Sequence, residues 1–323
     1  MVTVLIQMGL LIGCGVLWRW LRPGGVSADA LRLALTSSVY YLFLPAMVLS
    51  VLGRTDMGRE SIGIALFGVG IILFGMIVAL LLCRWHGISP ARFGAAVLAT
   101  AFANVTFLGL PLLEHTFGNW ARAIVLQIDF FAFSPVLYTL GASLARRYGH
   151  DENRNAGRKK SGWFNPPLLA AFFAVLLDVL GLSIPDWLQP SLDVLAQAVI
   201  PLMLVSLGLG LRWEFHGSGY LSTTLAVLGA KLLIIPLFGV WLGWQLGFSG
   251  DRLTALVLES AMPCMAMGLV FCDRYRLDTS FYALVTTLST ALAAFTLPLW
   301  HYWGNAGFAV LNLSELAVSL GVR

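Results

Sequence analysis

The chain is dominated by apolar runs of bilayer length. Ten of them, at about 2–22, 29–52, 60–83, 91–113, 119–145, 165–183, 187–211, 219–246, 251–272 and 278–303, reach the roughly 20 mostly apolar residues that a helix needs to cross the hydrocarbon core. Only 11% of the 323 residues are charged, against about 25% in soluble domains. That is too little polar side chain to cover a water-exposed shell. The sequence therefore reads as an all-α integral membrane protein with ten transmembrane helices. A soluble enzyme, a nucleic-acid module and a disordered adaptor are excluded.

The basic residues set an orientation. The one long polar connection contains Arg146, Arg147, Arg154, Arg158, Lys159 and Lys160. With this loop in the cytoplasm, Arg19, Arg22, Arg32, Arg84, Arg92, Arg212, Arg274 and Arg276 fall on the same side, and only Arg54, Arg59, Arg122, Arg252 and Arg323 fall outside. Short cytoplasmic loops carry the excess of Lys and Arg, so both termini are expected outside a cell inner (plasma) membrane. The chain then divides into a first five-helix repeat (1–145), a basic cytoplasmic loop (146–163), a second five-helix repeat (164–303) and a C-terminal tail (304–323). The partner is the lipid bilayer rather than a nucleic acid. Cys14, Cys83, Cys264 and Cys272 lie in or beside apolar runs without zinc-ligand spacing, which predicts reduced, packed thiols.

The two halves echo each other. Pro45-Ala46-Met47-Val48-Leu49-Ser50 recurs as Pro201-Leu202-Met203-Leu204-Val205-Ser206, 156 positions later. Leu108-Gly109-Leu110 is matched by Met267-Gly268-Leu269 at an offset of 159, and Ser134-Pro135-Val136-Leu137 by Leu297-Pro298-Leu299-Trp300 at 163. Five spans per repeat turn the second copy over in the membrane, and inverted repeats of this kind mark secondary transporters. Gly9/Gly13 and Gly239/Gly243/Gly247 have the small-xxx-small spacing that lets helices approach closely, most simply within one chain.

Spans 4 and 9 carry helix breakers at corresponding places: Asn104, Thr106, Gly109 and Pro111 in one, Pro263, Cys264, Met267 and Gly268 in the other. Pro111 lacks a backbone donor and disfavours α geometry at Leu110. Broken backbone at membrane depth is tolerated where it lines a cavity, and half-helix N-termini near 106–109 and 264–267 would attract an anion. A simple kink is the alternative for each break. Asp129, Lys231 and Glu259 lie near mid-span, where charge is costly unless it faces a cavity or a partner. Glu259 and Lys231 could form an ion pair between spans 8 and 9, or they could titrate during transport together with Asp129. No metal-ligand cluster, catalytic constellation or phosphate loop stands out, so neither metal nor cofactor is expected and the chain does not read as an enzyme.

Tyr40-Tyr41-Leu42-Phe43-Leu44-Pro45-Ala46, Asn104-Val105-Thr106-Phe107-Leu108-Gly109-Leu110-Pro111 and Arg274-Tyr275-Arg276-Leu277-Asp278 resemble the auxin efflux carrier family of permeases, in order along all ten spans. The resemblance implies an inverted repeat in which spans 4 and 9 cross at their breaks. It also implies a scaffold and homodimer surface from spans 1, 2, 6 and 7, and a moving unit from spans 3–5 and 8–10. Members carry small organic acids, among them auxin, malate and malonate. Asn104 matches the polar residue of the first break, whereas Met267 stands where the second commonly has Asn. The expected substrate-binding residues are thus Asn104, Thr106, Gly109, Pro111, Pro263, Cys264 and Met267. Glu259, Lys231 and Asp129 are the candidates for coupling to H+ or Na+. A sodium-coupled symporter of the bile-acid-carrier type, or a membrane sensor or scaffold without flux, is the competing expectation.

Overall fold

A computed structural model describes residues 2–55, 58–86, 88–149, 165–211 and 221–308, the side chains of residues 2, 5 and 83–86 excepted. The central loop beyond Gly149 and the tail beyond Phe308 lie outside these residues, and so do the expectations placed on them. The described chain is helical, with no strand among the described residues beyond one isolated antiparallel bridge between Ala103 and Cys264.

The helices are α1 (Val2–Leu21), α2 (Ala28–Leu52), α3 (Arg59–His86), α4 (Pro90–Ala101), α5 (Leu110–Phe117), α6 (Trp120–Tyr148), α7 (Pro166–Val179), α8 (Gln189–Gly210), α9 (Leu221–Gln245), α10 (Gly250–Ser260), α11 (Gly268–Arg274) and α12 (Thr279–Asn305). Among the described residues, α2, α3, α6, α8, α9 and α12 are long and apolar enough to cross a membrane, and α1 and α7 contain shorter apolar stretches. The apolar runs 91–113 and 251–272 are each split into two helices. Side-chain caps fix several starts: Ser27 accepts from Ala30 N (3.2 Å), Asn165 from Leu168 N (3.1 Å) and Asp278 from Phe281 N (3.0 Å), each satisfying one orphan donor of a first turn.

Four of the helix prolines are accommodated by widened turns, whereas Pro298 lies inside α12 without one. The π-turns Val39–Phe43, Val105–Gly109, Asp129–Phe133 and Ala230–Ile234 each end two residues before a proline: Pro45, Pro111, Pro135 and Pro236. A proline ring crowds the carbonyl four residues back, and an i→i−5 turn gives that carbonyl room. The helix continues, so Leu110 is αR (φ −54°, ψ −56°) and not the extended residue that Pro111 predicts. At Pro236 the crowded carbonyl is that of Leu232, which accepts from Trp300 Nε1 on α12 (2.9 Å). A neighbouring helix thus supplies the donor that proline withholds.

The helices pack as two groups. In one, α8 packs on α1 and α2, and α7 packs on α2. In the other, α3 packs on α4, α6 and α9, while α10 and α12 pack on each other and on α9. The α1–α8 crossing is close because it is made at Gly15 and Gly208: a Cβ on either would meet the backbone of the other helix. Gly9 and Gly13 have nothing within 4 Å of a Cβ position, so among the described residues their spacing makes no close helix contact. Gly239 and Gly243 do pack inward, against Ser260 and Leu253. Large apolar side chains such as Ile6, Leu10, Leu66, Phe172, Phe173 and Phe295 are exposed, the surface of a protein whose solvent is lipid.

Candidate transport site

The site is made where the two broken runs meet. α4 ends at Ala101 and Phe102 is extended (φ −105°, ψ 120°); α10 ends at Ser260, and the chain is irregular until α11. The breaks pair antiparallel: Asn104 N donates to Pro263 O (2.8 Å) and Met265 N donates to Phe102 O (3.1 Å). Ser289 Oγ accepts from Cys264 N (3.1 Å), and Tyr282 Oη donates to Met265 O (2.8 Å). These bonds satisfy six backbone groups freed by the breaks, as burial at membrane depth requires. The first N–H groups of the half-helix 105–117 have no intrahelical partner.

Those groups border a cavity between the two helical groups with about 70 Å³ open to water-sized molecules, and Tyr40, Asn104, Thr106, Asp129, Ser134 and Tyr138 are its main polar lining. Asn104 is 2% exposed, and its Nδ2 has no hydrogen-bond partner. The carboxylate of Asp129 is held at both oxygens, by the Thr106 hydroxyl on Oδ2 and by the Ser134 hydroxyl on Oδ1 (2.8 Å). The phenol of Tyr40 on α2 faces that of Tyr138 on α6. A buried amide donor without an acceptor is costly, and here it belongs to the lining of a partly polar cavity.

Glu259 and Lys231 lie behind this cavity. Lys231 Nζ donates to the carbonyl of Ser260 (3.4 Å), placing a cation at the negative end of α10. It makes no ion pair within 4.0 Å with Glu259, although the two charges interact. Glu259 is 1% exposed, has both oxygens unpartnered, and lies against Gly109. It also interacts electrostatically with Asp129.

Of the residues expected from the sequence, Asn104, Thr106, Asp129 and Met267 line the cavity, and Gly109 and Glu259 form the layer behind it. Pro263 and Cys264 belong to the backbone pairing between the breaks. Pro111 is buried within α5, its carbonyl bonded to His115 Nδ1 (2.8 Å). Tyr40, Ser134 and Tyr138 were not anticipated. A signal for two of them exists: Tyr40 and Tyr138, like Thr106 and Lys231, are the second residue of a π-turn, and Asp129 is the first of one. For all but Tyr138, that turn is announced by a proline two residues beyond its end.

The family described as "Membrane transport protein" matches residues 5–301. The chain belongs to this family, the auxin efflux carriers. Relatives of this membrane transport protein include an uncharacterized transporter of Methanothermobacter thermautotrophicus, 29% identical over 87% of this chain and 91% of the relative. An uncharacterized transporter of Methanocaldococcus jannaschii is 24% identical over 83% and 88% of the two chains. A protein of Rhizobium meliloti named "Putative malonate transporter" is 26% identical over 79% and 82%. The chain is thus a multi-pass membrane transporter.

Proposed function

We propose that this transporter is a secondary carrier of a small organic acid, of the malonate or malate class or an auxin-like acid. The observation that carries the reading is the Asn104 amide, buried and without an acceptor at the junction of the two breaks. A carboxylate in the adjacent cavity would accept from Nδ2 and from the opening N–H groups of the half-helix 105–117. The name of the Rhizobium relative points to the same substrate class.

In this reading ten spans form two inverted five-helix repeats, with spans 4 and 9 broken and crossing. The group containing α1, α2, α7 and α8 is the scaffold, and a homodimer forms on its lipid-facing side. The other group carries Asn104, Glu259, Lys231 and Asp129 and slides past the scaffold as an elevator. Ion pairs agree with the grouping of segment ends by side. Arg19–Asp29 and Arg92–Asp278 join loops placed in the cytoplasm, and Arg54–Asp193, Arg122–Glu114 and Arg252–Glu60 join segments placed outside. The test is uptake of radiolabelled malonate and malate into proteoliposomes, with and without a pH gradient. Saturable, gradient-dependent uptake that is lost in Asn104→Ala is expected; the same uptake in that variant would remove Asn104 from the site.

The two unpartnered oxygens of Glu259 also favour a second reading, in which the coupled ion is Na+ rather than H+. Uptake unchanged on replacing sodium with choline excludes it.

A further inference from the structure

Lys231 is among the largest fully buried side chains, at 0% exposure, and it stands in the π-turn Ala230–Ile234 of α9. A cation at that depth is costly unless it meets a partner, which is commonly a backbone carbonyl. Among the described residues the partner is one atom: Nζ donates to the carbonyl of Ser260 (3.4 Å), the last residue of α10.

The sequence of the second break explains why that carbonyl is free to take a cation. α10 closes with i→i−3 bonds, from Ala261 N to Leu258 O (3.1 Å) and from Met262 N to Glu259 O (3.3 Å). The next donor in the series would be the N–H of residue 263, which is proline and has none. The donor after it, Cys264 N, is turned to Ser289 Oγ (3.1 Å). Ser260 O is thus left for Lys231, at the negative end of the helix. One residue earlier, Glu259 is 1% exposed with both carboxylate oxygens unpartnered, and its charge interacts with that of Lys231. A freed carbonyl at a half-helix C-terminus, next to a buried carboxylate, is a set of hard oxygens. Such sets hold alkali cations in transporters built from broken helices.

We propose that Lys231 is a tethered cation, its ammonium standing beside Ser260 O and Glu259 where a carrier with this break would otherwise hold a free sodium ion. The proposal rests on the preceding reading only for one readout, acid uptake, and it chooses between the two coupled ions named there. The ammonium offsets the helix end and the carboxylate as a bound ion would, but its stem keeps it from dissociating. Sodium then has no vacant place, and the protein does without it. A Lys231 that merely packed α9 against α10 would need its stem and not its charge.

The test uses purified full-length protein in detergent, with choline replaced at constant ionic strength by sodium or by n-propylammonium. The latter has the atoms that Lys231→Ala deletes. Thermal unfolding and binding of radiolabelled sodium are read for wild type, Lys231→Ala, Lys231→Met and both variants combined with Glu259→Gln. Wild type should bind no sodium and keep one unfolding midpoint in all three salts. Lys231→Ala should unfold several degrees lower in choline, regain most of that loss in sodium or propylammonium, and bind sodium saturably, because a ligand of the folded state raises its stability. Lys231→Met, which fills the space without the charge, should respond to neither cation. Lys231→Ala with Glu259→Gln should lose the sodium response. Saturable sodium binding by wild type, or a folded Lys231→Ala protein that neither cation stabilises, overturns the proposal. Where Lys231→Ala does not fold in any salt, Lys231→Met decides. A midpoint below wild type that Glu259→Gln raises again shows a missing countercharge, as expected; a midpoint equal to wild type, or one that Glu259→Gln does not raise, overturns the proposal. In proteoliposomes wild-type malonate uptake should be equal in sodium and choline. No acid uptake under any gradient removes the carrier reading and leaves the sodium-binding and unfolding results to stand by themselves.

Discussion

The carboxylate of Glu259 occupies the space that a side chain on Gly109 would need. A Cβ at Gly109 would overlap both carboxylate oxygens and Cδ of Glu259, so the last residue of the π-turn at the first break is kept bare by the penultimate residue of α10. The contact ties the two broken runs together a second time, beyond their backbone pairing, and it predicts a size-dependent coupling. Gly109→Ala alone should destabilise by about 1–3 kcal/mol through overpacking. Gly109→Ala with Glu259→Gln should lose as much, since Gln keeps the volume. With Glu259→Ala the methyl has room, and the double variant should be more stable than the sum of the single losses allows. Thermal unfolding in detergent measures all three. Strict additivity with Glu259→Ala would show that the two residues do not touch.

Asp129 gives a second prediction, because its carboxylate joins α6 to the first break through Thr106 and to its own helix through Ser134. Both hydroxyls donate, so Asp129→Asn confronts one of them with an amide N–H. Hydrogen bonds to charged groups contribute about 1.5–3 kcal/mol. Thr106→Val should therefore cost about that much in wild type and much less in an Asp129→Asn background. A double-mutant cycle of unfolding free energies reads this coupling. A Thr106→Val cost that is equal in both backgrounds argues that the bond contributes nothing.

The third concerns the proline-widened turn of α9. Trp300→Phe removes the donor to the Leu232 carbonyl and should destabilise by about 1–3 kcal/mol, the cost of a buried acceptor left unsatisfied. Replacing Pro236 with Ala in the same chain restores an N–H at that turn and should recover part of the loss. An unfolding midpoint that Pro236→Ala does not raise in the Trp300→Phe background refutes the link between proline and tryptophan.

Much of this was legible along the chain, and the failures have physical causes. Apolar runs, mid-span charges and the polar character of Asn104 are local properties, and these are the features that locate helices and cavity. The position of the first break is not local. Pro111 points to Leu110, but a widened turn absorbs the proline, and α4 stops at Ala101 because Phe102–Asn104 pairs with the second break, some 160 residues away in sequence. Lys231 and Glu259 could pair by sign and depth or titrate during transport, and the structure places Lys231 at the end of α10, a contact that neither residue announces in sequence. Small-residue spacing marks Gly9 and Gly13 but not Gly15, and the packing of α8 selects Gly15. Tyr40, Ser134 and Tyr138 come from helices on both sides of the cavity, a juxtaposition no single segment contains.

The final prediction concerns Phe107 and Met267. Both line the Asn104 cavity and also border a second space between α2, α8 and α12, so they form the wall that an acid leaving on that side must displace. Truncating the larger of the two, Phe107→Ala, removes most of that wall while leaving Asn104 and Asp129 in place. In proteoliposomes it should raise malonate efflux down its own gradient several-fold and abolish accumulation driven by an imposed pH gradient, because the two sides would no longer be separated in turn. Met267→Ala should do the same more weakly, since a flexible thioether fills less of the partition than a ring. Met267→Asn restores a polar group at the second break and should strengthen malonate binding without opening the leak. Accumulation at wild-type levels in Phe107→Ala would place the barrier to the acid elsewhere than between these two side chains.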